Sequence, residues 1–160
     1  MTPNISPELS ARLDATSRTA HILWIALMMS VAVYGGVSFI ITSQGDGAAE
    51  PLALPPLVFP LLAVAAATAG VVLYRHLTSP DRLRALVNQQ RSVEQVPGLV
   101  LTASIIRWAL FESVAIYGLV LAITNHSFEA FLPYGITAIG LQAMSPPRLK
   151  QITRTAASAS

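Results

Sequence analysis

One ionisable residue stands apart from the rest. Glu112 lies among Ala109, Leu110, Phe111, Val114, Ala115 and Ile116, near the middle of a mostly apolar run from about Leu99 to Ile123. An ionised carboxylate in such a setting is costly, so acids of this kind face a bundle interior or a polar path and are functional candidates by default. Two chemistries are open to it. As the neutral acid, the form that desolvation favours, it can hydrogen-bond to another helix. By taking up and releasing a proton it can instead carry a proton or ion. The polar groups available as partners are Ser30, Tyr34, Ser38, Thr68 and Tyr117; the spacing alone does not choose among them.

The other reactive side chains have plainer readings. Arg107 precedes Glu112 by five residues, about 140° around a helix, so no ion pair within the helix is expected and the guanidinium can snorkel to the membrane edge. Trp24 and Trp108 fit an interfacial aromatic belt. His21 and His76 fall at the ends of apolar runs and could in principle ligate haem, but no supporting motif accompanies them. His126 reads as a solvated turn residue, and Glu129 as a charge at a helix N-terminus. The chain has no cysteine, which excludes disulfides and thiolate chemistry. There is no phosphate-cradling glycine loop, no nucleophile beside a base and no acid–histidine cluster at metal spacing. No enzymatic activity, metal or cofactor is therefore expected.

The elements that must position Glu112 follow from composition. Of 160 residues, 53% are hydrophobic and 11% charged, against about 25% charged in ordinary soluble domains. So short a chain cannot bury that much apolar surface in its own core, which makes lipid the expected solvent. Four runs approach the roughly 20 apolar residues of a span: Ile22 to Ile41, Leu54 to Tyr74, Leu99 to Ile123, and a shorter one from Phe128 to Met144. The expected fold is all-α, a bundle of four transmembrane helices built from two tandem helical hairpins. Arg12, Arg18, Arg75, Arg82, Arg84, Arg91, Arg148, Lys150 and Arg154 lie outside the connections around 43–53 and 125–127, which have no basic residue. The positive-inside rule then puts both termini in the cytoplasm, and the expected location is a bacterial inner membrane. The first apolar run is too long for a secretory signal and reads as a retained span.

Laid over the third run at an offset of 83, the first matches it at ten of nineteen positions, including Ala26-Leu27 with Ala109-Leu110, Ser30-Val31-Ala32 with Ser113-Val114-Ala115, and Tyr34-Gly35 with Tyr117-Gly118. Met29 stands where the other copy has Glu112. Ser79-Pro80-Asp81-Arg82-Leu83 likewise parallels Ser145-Pro146-Pro147-Arg148-Leu149, and each Ser-Pro reads as a helix start. The expected organisation is a cytoplasmic segment (1–20), a first hairpin (21–75), an amphipathic connector (76–98), a second hairpin (99–145) and a basic, then flexible, tail (146–160). Arg82, Arg84, Arg91 and Arg148 are expected at the membrane surface, near anionic head groups. Ala115, Gly118 and Ala122 offer a small-residue seam for close helix packing.

The string Phe111-Glu112-Ser113-Val114-Ala115-Ile116-Tyr117-Gly118-Leu119-Val120-Leu121-Ala122-Ile123 resembles the carboxylate helix of the ATP synthase and vacuolar ATPase proteolipid, subunit c. The resemblance implies that Glu112 is an ion-binding acid at mid-membrane. In that family the acidic helix is the second of its hairpin, and here it is the first. The residues themselves favour a non-enzymatic assembly or accessory subunit of a membrane complex, and the resemblance favours proton or ion translocation. The expected partners are the lipid bilayer and other membrane helices, in a homo- or hetero-oligomer. A net charge of +2 suggests no nucleic-acid surface.

Overall fold

A computed structural model describes residues 7–44, 57–79 and 96–149, with 55, 81, 82, 85, 151 and 152 besides. Within them the regular structure is helical: α1 (Pro7–Gln44), α2 (Val58–Leu77), α3 (Val96–Thr124), a 3-10 turn (Phe128–Ala130) and α4 (Leu132–Ala143). Proline sits in the first turns of all four helices, at Pro7, Pro60, Pro97 and Pro133, where N–H groups have no intrahelical acceptor to lose. Deeper in the helices, hydroxyls fold back on carbonyls one turn earlier. Ser30 bonds Leu27 O at 2.7 Å, Ser38 bonds Gly35 O at 2.9 Å and Ser104 bonds Val100 O at 2.8 Å, which lets polar residues sit in apolar helices without an unmet donor.

Three of the helices are long and apolar enough to cross a membrane. α1 extends over 38 residues, α2 over 20 and α3 over 29, so all three reach the roughly 30 Å of a hydrocarbon core. Their outer faces are bare. Ile22 is 67% exposed and Leu61 65%, and further apolar side chains continue the same surfaces, far more than a water-soluble monomer tolerates in one patch. α1 begins well inside what reads as a separate cytoplasmic segment, continuing the first apolar run without a break.

The fourth apolar run does not form a helix of spanning length. α4 has 12 residues, about 18 Å, because the 3-10 turn takes the start of the run and the chain leaves the helix at Met144. Even so, the segment travels back along α3. Phe131 and Tyr134 meet Gly118, Ser145 meets Trp108, and Leu149 packs with Ala20, Val96, Val100 and Trp108. Residues 145–148 are not helical, and extended backbone covers about twice the distance per residue that helix does. For the same reason Ser145-Pro146 does not start a helix: helical residues resume only at Leu149.

α3 is the hub. It packs against α1, α2 and α4, and α4 also touches α1, whereas α1 and α2 make at most marginal contact with each other. α1 and α2 thus each pack on α3 rather than on one another. The physical reason is visible at Gly70, where a Cβ would lie 3.0 Å from the Phe111 ring and 3.4 Å from Leu110 Cβ. The missing side chain lets α2 settle on α3. Phe59 against Tyr117 and Tyr74 against Arg107 continue this antiparallel contact. Because the chain lacks cysteine, the pairing is directly testable. Cysteines introduced together at Gly70 and Leu110 should oxidise to an intrachain disulfide, since the 3.4 Å separation is close to the usual Cβ distance of about 3.5–4.5 Å. Persistent free thiols under mild oxidation would count against this packing.

The turn between α3 and α4 closes as a Schellman motif. Ser127 N–H donates to Ala122 O at 3.1 Å and His126 N–H to Ile123 O at 3.4 Å, with His126 in the left-handed region at φ 48°. This conformation satisfies the last carbonyls of α3, and His126 is therefore a structural turn residue, half-buried rather than simply solvated. Arg82 and Arg148 are exposed. Arg84, Arg91, most of the amphipathic connector and the tail beyond Ile152 lie outside the described residues.

Candidate functional site

The side chains of Ser30 and Tyr34 lie one turn apart on α1, a spacing that puts them on one face. That face meets α3 at Glu112. Ser30 Oγ is 2.5 Å from Glu112 Oε1, and Tyr34 Oη donates to the same oxygen at 2.8 Å. Two of the anticipated partners are thus brought to the acid. The other three are not. Tyr117 turns to α2, its ring 6.4 Å from that of Phe59; Ser38 is spent on Gly35 O; and Thr68 is exposed on α2. Met29, which aligns with Glu112, is 59% exposed and faces away from the seam.

Counting protons says more about this triad. Ser30 Oγ lies within bonding distance of two acceptors, Leu27 O at 2.7 Å and Glu112 Oε1 at 2.5 Å, but a hydroxyl has one proton. With Tyr34 included there are three short O···O contacts and only two hydroxyl protons. Ser30 and Tyr34 both donate to Glu112 Oε1, and Ser30 shares its single proton with Leu27 O. Glu112 is half-buried. Its second oxygen, Oε2, has no hydrogen-bond partner among the described residues and is not sealed off.

The seam around the triad is closed by small residues. Ala115 and Ala122 are fully buried, and a Cβ on Gly118 would come within 2.6 Å of Tyr134 Cβ. Gly35 of α1 faces the Phe131 ring, its own missing Cβ 3.1 Å away. The two matching Tyr-Gly pairs, Tyr34-Gly35 and Tyr117-Gly118, therefore both place their glycine against the first turn of α4.

A second polar region lies nearer the start of α3. Trp24 Nε1 donates to Gln142 O and Trp108 Nε1 to Ser145 O, each at 2.9 Å. Trp108 is completely buried. The two indoles are thus ties between helices rather than a belt facing the interface, because the end of α4 offers carbonyls that lack helical donors. Arg107 stacks 3.8 Å over the Tyr74 ring and donates to Ser145 O at 3.2 Å; it makes no ion pair with Glu112, as its helical position predicts. Gln142 is completely buried here. Sequence reading did not single it out, although an amide inside an otherwise apolar run is a usable signal. His21 Nδ1 is 2.7 Å from Ser17 O on its own helix, and Glu129 is exposed.

Among the described residues, the fold and site together define a class: an all-helical protein with helices of membrane-spanning length and apolarity, and the Glu112 carboxyl held between two of them. Compared with protein-family models, curated proteins and solved structures, the chain matches none.

Proposed function

We propose that this chain is a non-enzymatic accessory subunit of a membrane complex, with both termini on the cytoplasmic side and the segment around α4 serving as a fourth, thinned crossing. Glu112 acts within it as a neutral latch, pinning α1 to α3 so that the outer apolar faces of α1 and α2 are presented in a fixed arrangement to lipid and to other membrane helices. The observation that carries this reading is the convergence of Ser30 and Tyr34 on one oxygen of Glu112. A contact of this kind contributes about 0.6–2 kcal/mol, enough to select one helix pairing over another. The chain's many exposed apolar side chains supply the surface for partners.

A second reading, translocation of a proton or ion by a proteolipid-like subunit, is favoured by the unengaged Oε2 of Glu112. Gentle extraction and native mass determination separate the two. The accessory reading predicts a complex of fixed stoichiometry with unlike chains, and that complex survives Glu112→Gln because an amide can bridge the same two hydroxyls. A closed ring of identical copies whose ion flux is abolished by Glu112→Gln would replace it with the second reading. A monodisperse monomer without partners would contradict both.

A further inference from the structure

Two cations meet where the apolar parts of α2 and α4 end, and no acid answers them. Arg107 of α3 is half-buried, stacks 3.8 Å over the Tyr74 ring of α2 and donates from Nη2 to Ser145 O at 3.2 Å. An aromatic face and a carbonyl are its partners, and neither is an anion. Among the described residues no carboxylate pairs with it, and the charged side chain within its electrostatic reach is a second cation, Arg148. The chain path puts Arg148 there. Three residues earlier, Ser145 O accepts from both Arg107 and Trp108, and the next residue, Leu149, packs with Trp108. Arg148 is itself exposed, and its guanidinium has no partner among the described residues.

Nη1 is the open edge of Arg107. It has no hydrogen-bond partner among the described residues and is not enclosed, so its two N–H groups remain available. Two guanidinium groups held together without a counter-charge attract an anion, and arginine matches phosphate through parallel N–H···O bonds. What borders the charges favours a phospholipid over an acidic protein. Val72 of α2 is 59% exposed just before Tyr74, and Met144 is 82% exposed just before Ser145. Arg75 and His76, exposed in the last turn of α2, mark the level at which its apolar run ends. An anion joined to an apolar tail fits this succession of surfaces, and basic pockets between membrane helices hold such head groups.

We propose that Arg107 and Arg148 form a seat for one anionic phospholipid at the junction of α2, α3 and the end of α4, its phosphate bridging Arg107 Nη1 and the Arg148 guanidinium. A net-neutral head group brings its own ammonium and leaves the two cations uncompensated, so the seat selects phosphatidylglycerol over phosphatidylcholine. It differs from the diffuse attraction of exposed arginines for an anionic surface, because Tyr74 and Ser145 fix Arg107 before any lipid arrives. The proposal requires only that the chain lies in a bilayer and is independent of the role given to Glu112.

The full chain in nanodiscs of equal phosphatidylglycerol and phosphatidylcholine, released for native mass spectrometry, tests this. One phosphatidylglycerol per chain should be retained in preference to phosphatidylcholine. Arg148→Gln, at an exposed position that leaves the packing intact, should cut that retention about fivefold, the effect of one cation near a membrane surface. Arg82→Gln removes an equal charge from another exposed position and should leave it unchanged. Equal retention of the two lipids, or equal losses from Arg148→Gln and Arg82→Gln, would show diffuse attraction and overturn the seat. An unlike protein chain retained through Arg148 in place of lipid would also overturn it, making the occupant an acidic partner.

Discussion

Gly118→Leu should unseat α4 from α3 and destabilise the protein by about 3 kcal/mol or more, at the upper end of the range for overpacking. A Cβ at this position would stand 2.6 Å from Tyr134 Cβ and 3.2 Å from Phe131 O, against an optimal carbon–carbon separation of about 3.5–4.0 Å. Neither neighbour can swing away, since one is the first side-chain carbon of its residue and the other is backbone. The helices must separate, and Ala115, Ala122 and Ala138, all fully buried, lose their packing with them. Gly36 and Gly140 are the controls, because nothing lies within 4 Å of a Cβ built at either; leucine there should shift stability by less than about 0.5 kcal/mol. Denaturant unfolding in mixed micelles measures the difference. Equal effects at Gly118 and Gly36 would show that α4 is not seated where described.

The second large effect is expected at Glu112 itself. Glu112→Leu removes both contacts at Oε1. Ser30 falls back on Leu27 O, which it already approaches at 2.7 Å, but the Tyr34 hydroxyl is left without an acceptor. The cost should be about 1–3 kcal/mol. Glu112→Gln, by contrast, should be nearly neutral: its amide oxygen can take the place of Oε1 and accept from both Ser30 and Tyr34. Glu112→Asp is one methylene shorter and should fall between the two. The order Gln, Asp, Leu is specific to a protonated latch. Were the carboxyl charged, the amide would forfeit charge-assisted bonds worth about 1.5–3 kcal/mol each, and Gln would be among the worst substitutions.

Several of these features are legible in the sequence for identifiable reasons. Glu112 is conspicuous because one acid among aliphatic residues has no ordinary explanation, and Ser30 and Tyr34 were foreseeable as partners from their type and place in the run. The choice of these two over Tyr117 was not, because it depends on how α1 and α3 are rotated about their axes, and aligned positions in two similar helices need not face the same way. Hydropathy identified the apolar run from Phe128 to Met144, yet it measures transfer out of water and not backbone conformation, so the 3-10 turn and the early end of α4 were invisible to it. The docking of α2 on α3 turns on Gly70, a single glycine whose meaning appears only when Phe111 lies opposite. Trp24 and Trp108 have a belt-like spacing, but the carbonyls that capture them come from the far end of the chain.

The most direct test is a double-mutant cycle between Glu112→Leu and Tyr34→Phe, read by denaturant unfolding of the full chain in mixed micelles. If Glu112 holds α1 against α3 through Tyr34, the two substitutions should couple by about 0.6–1.7 kcal/mol, each removing most of what the other would cost. Strict additivity, with a coupling indistinguishable from zero, would contradict the latch.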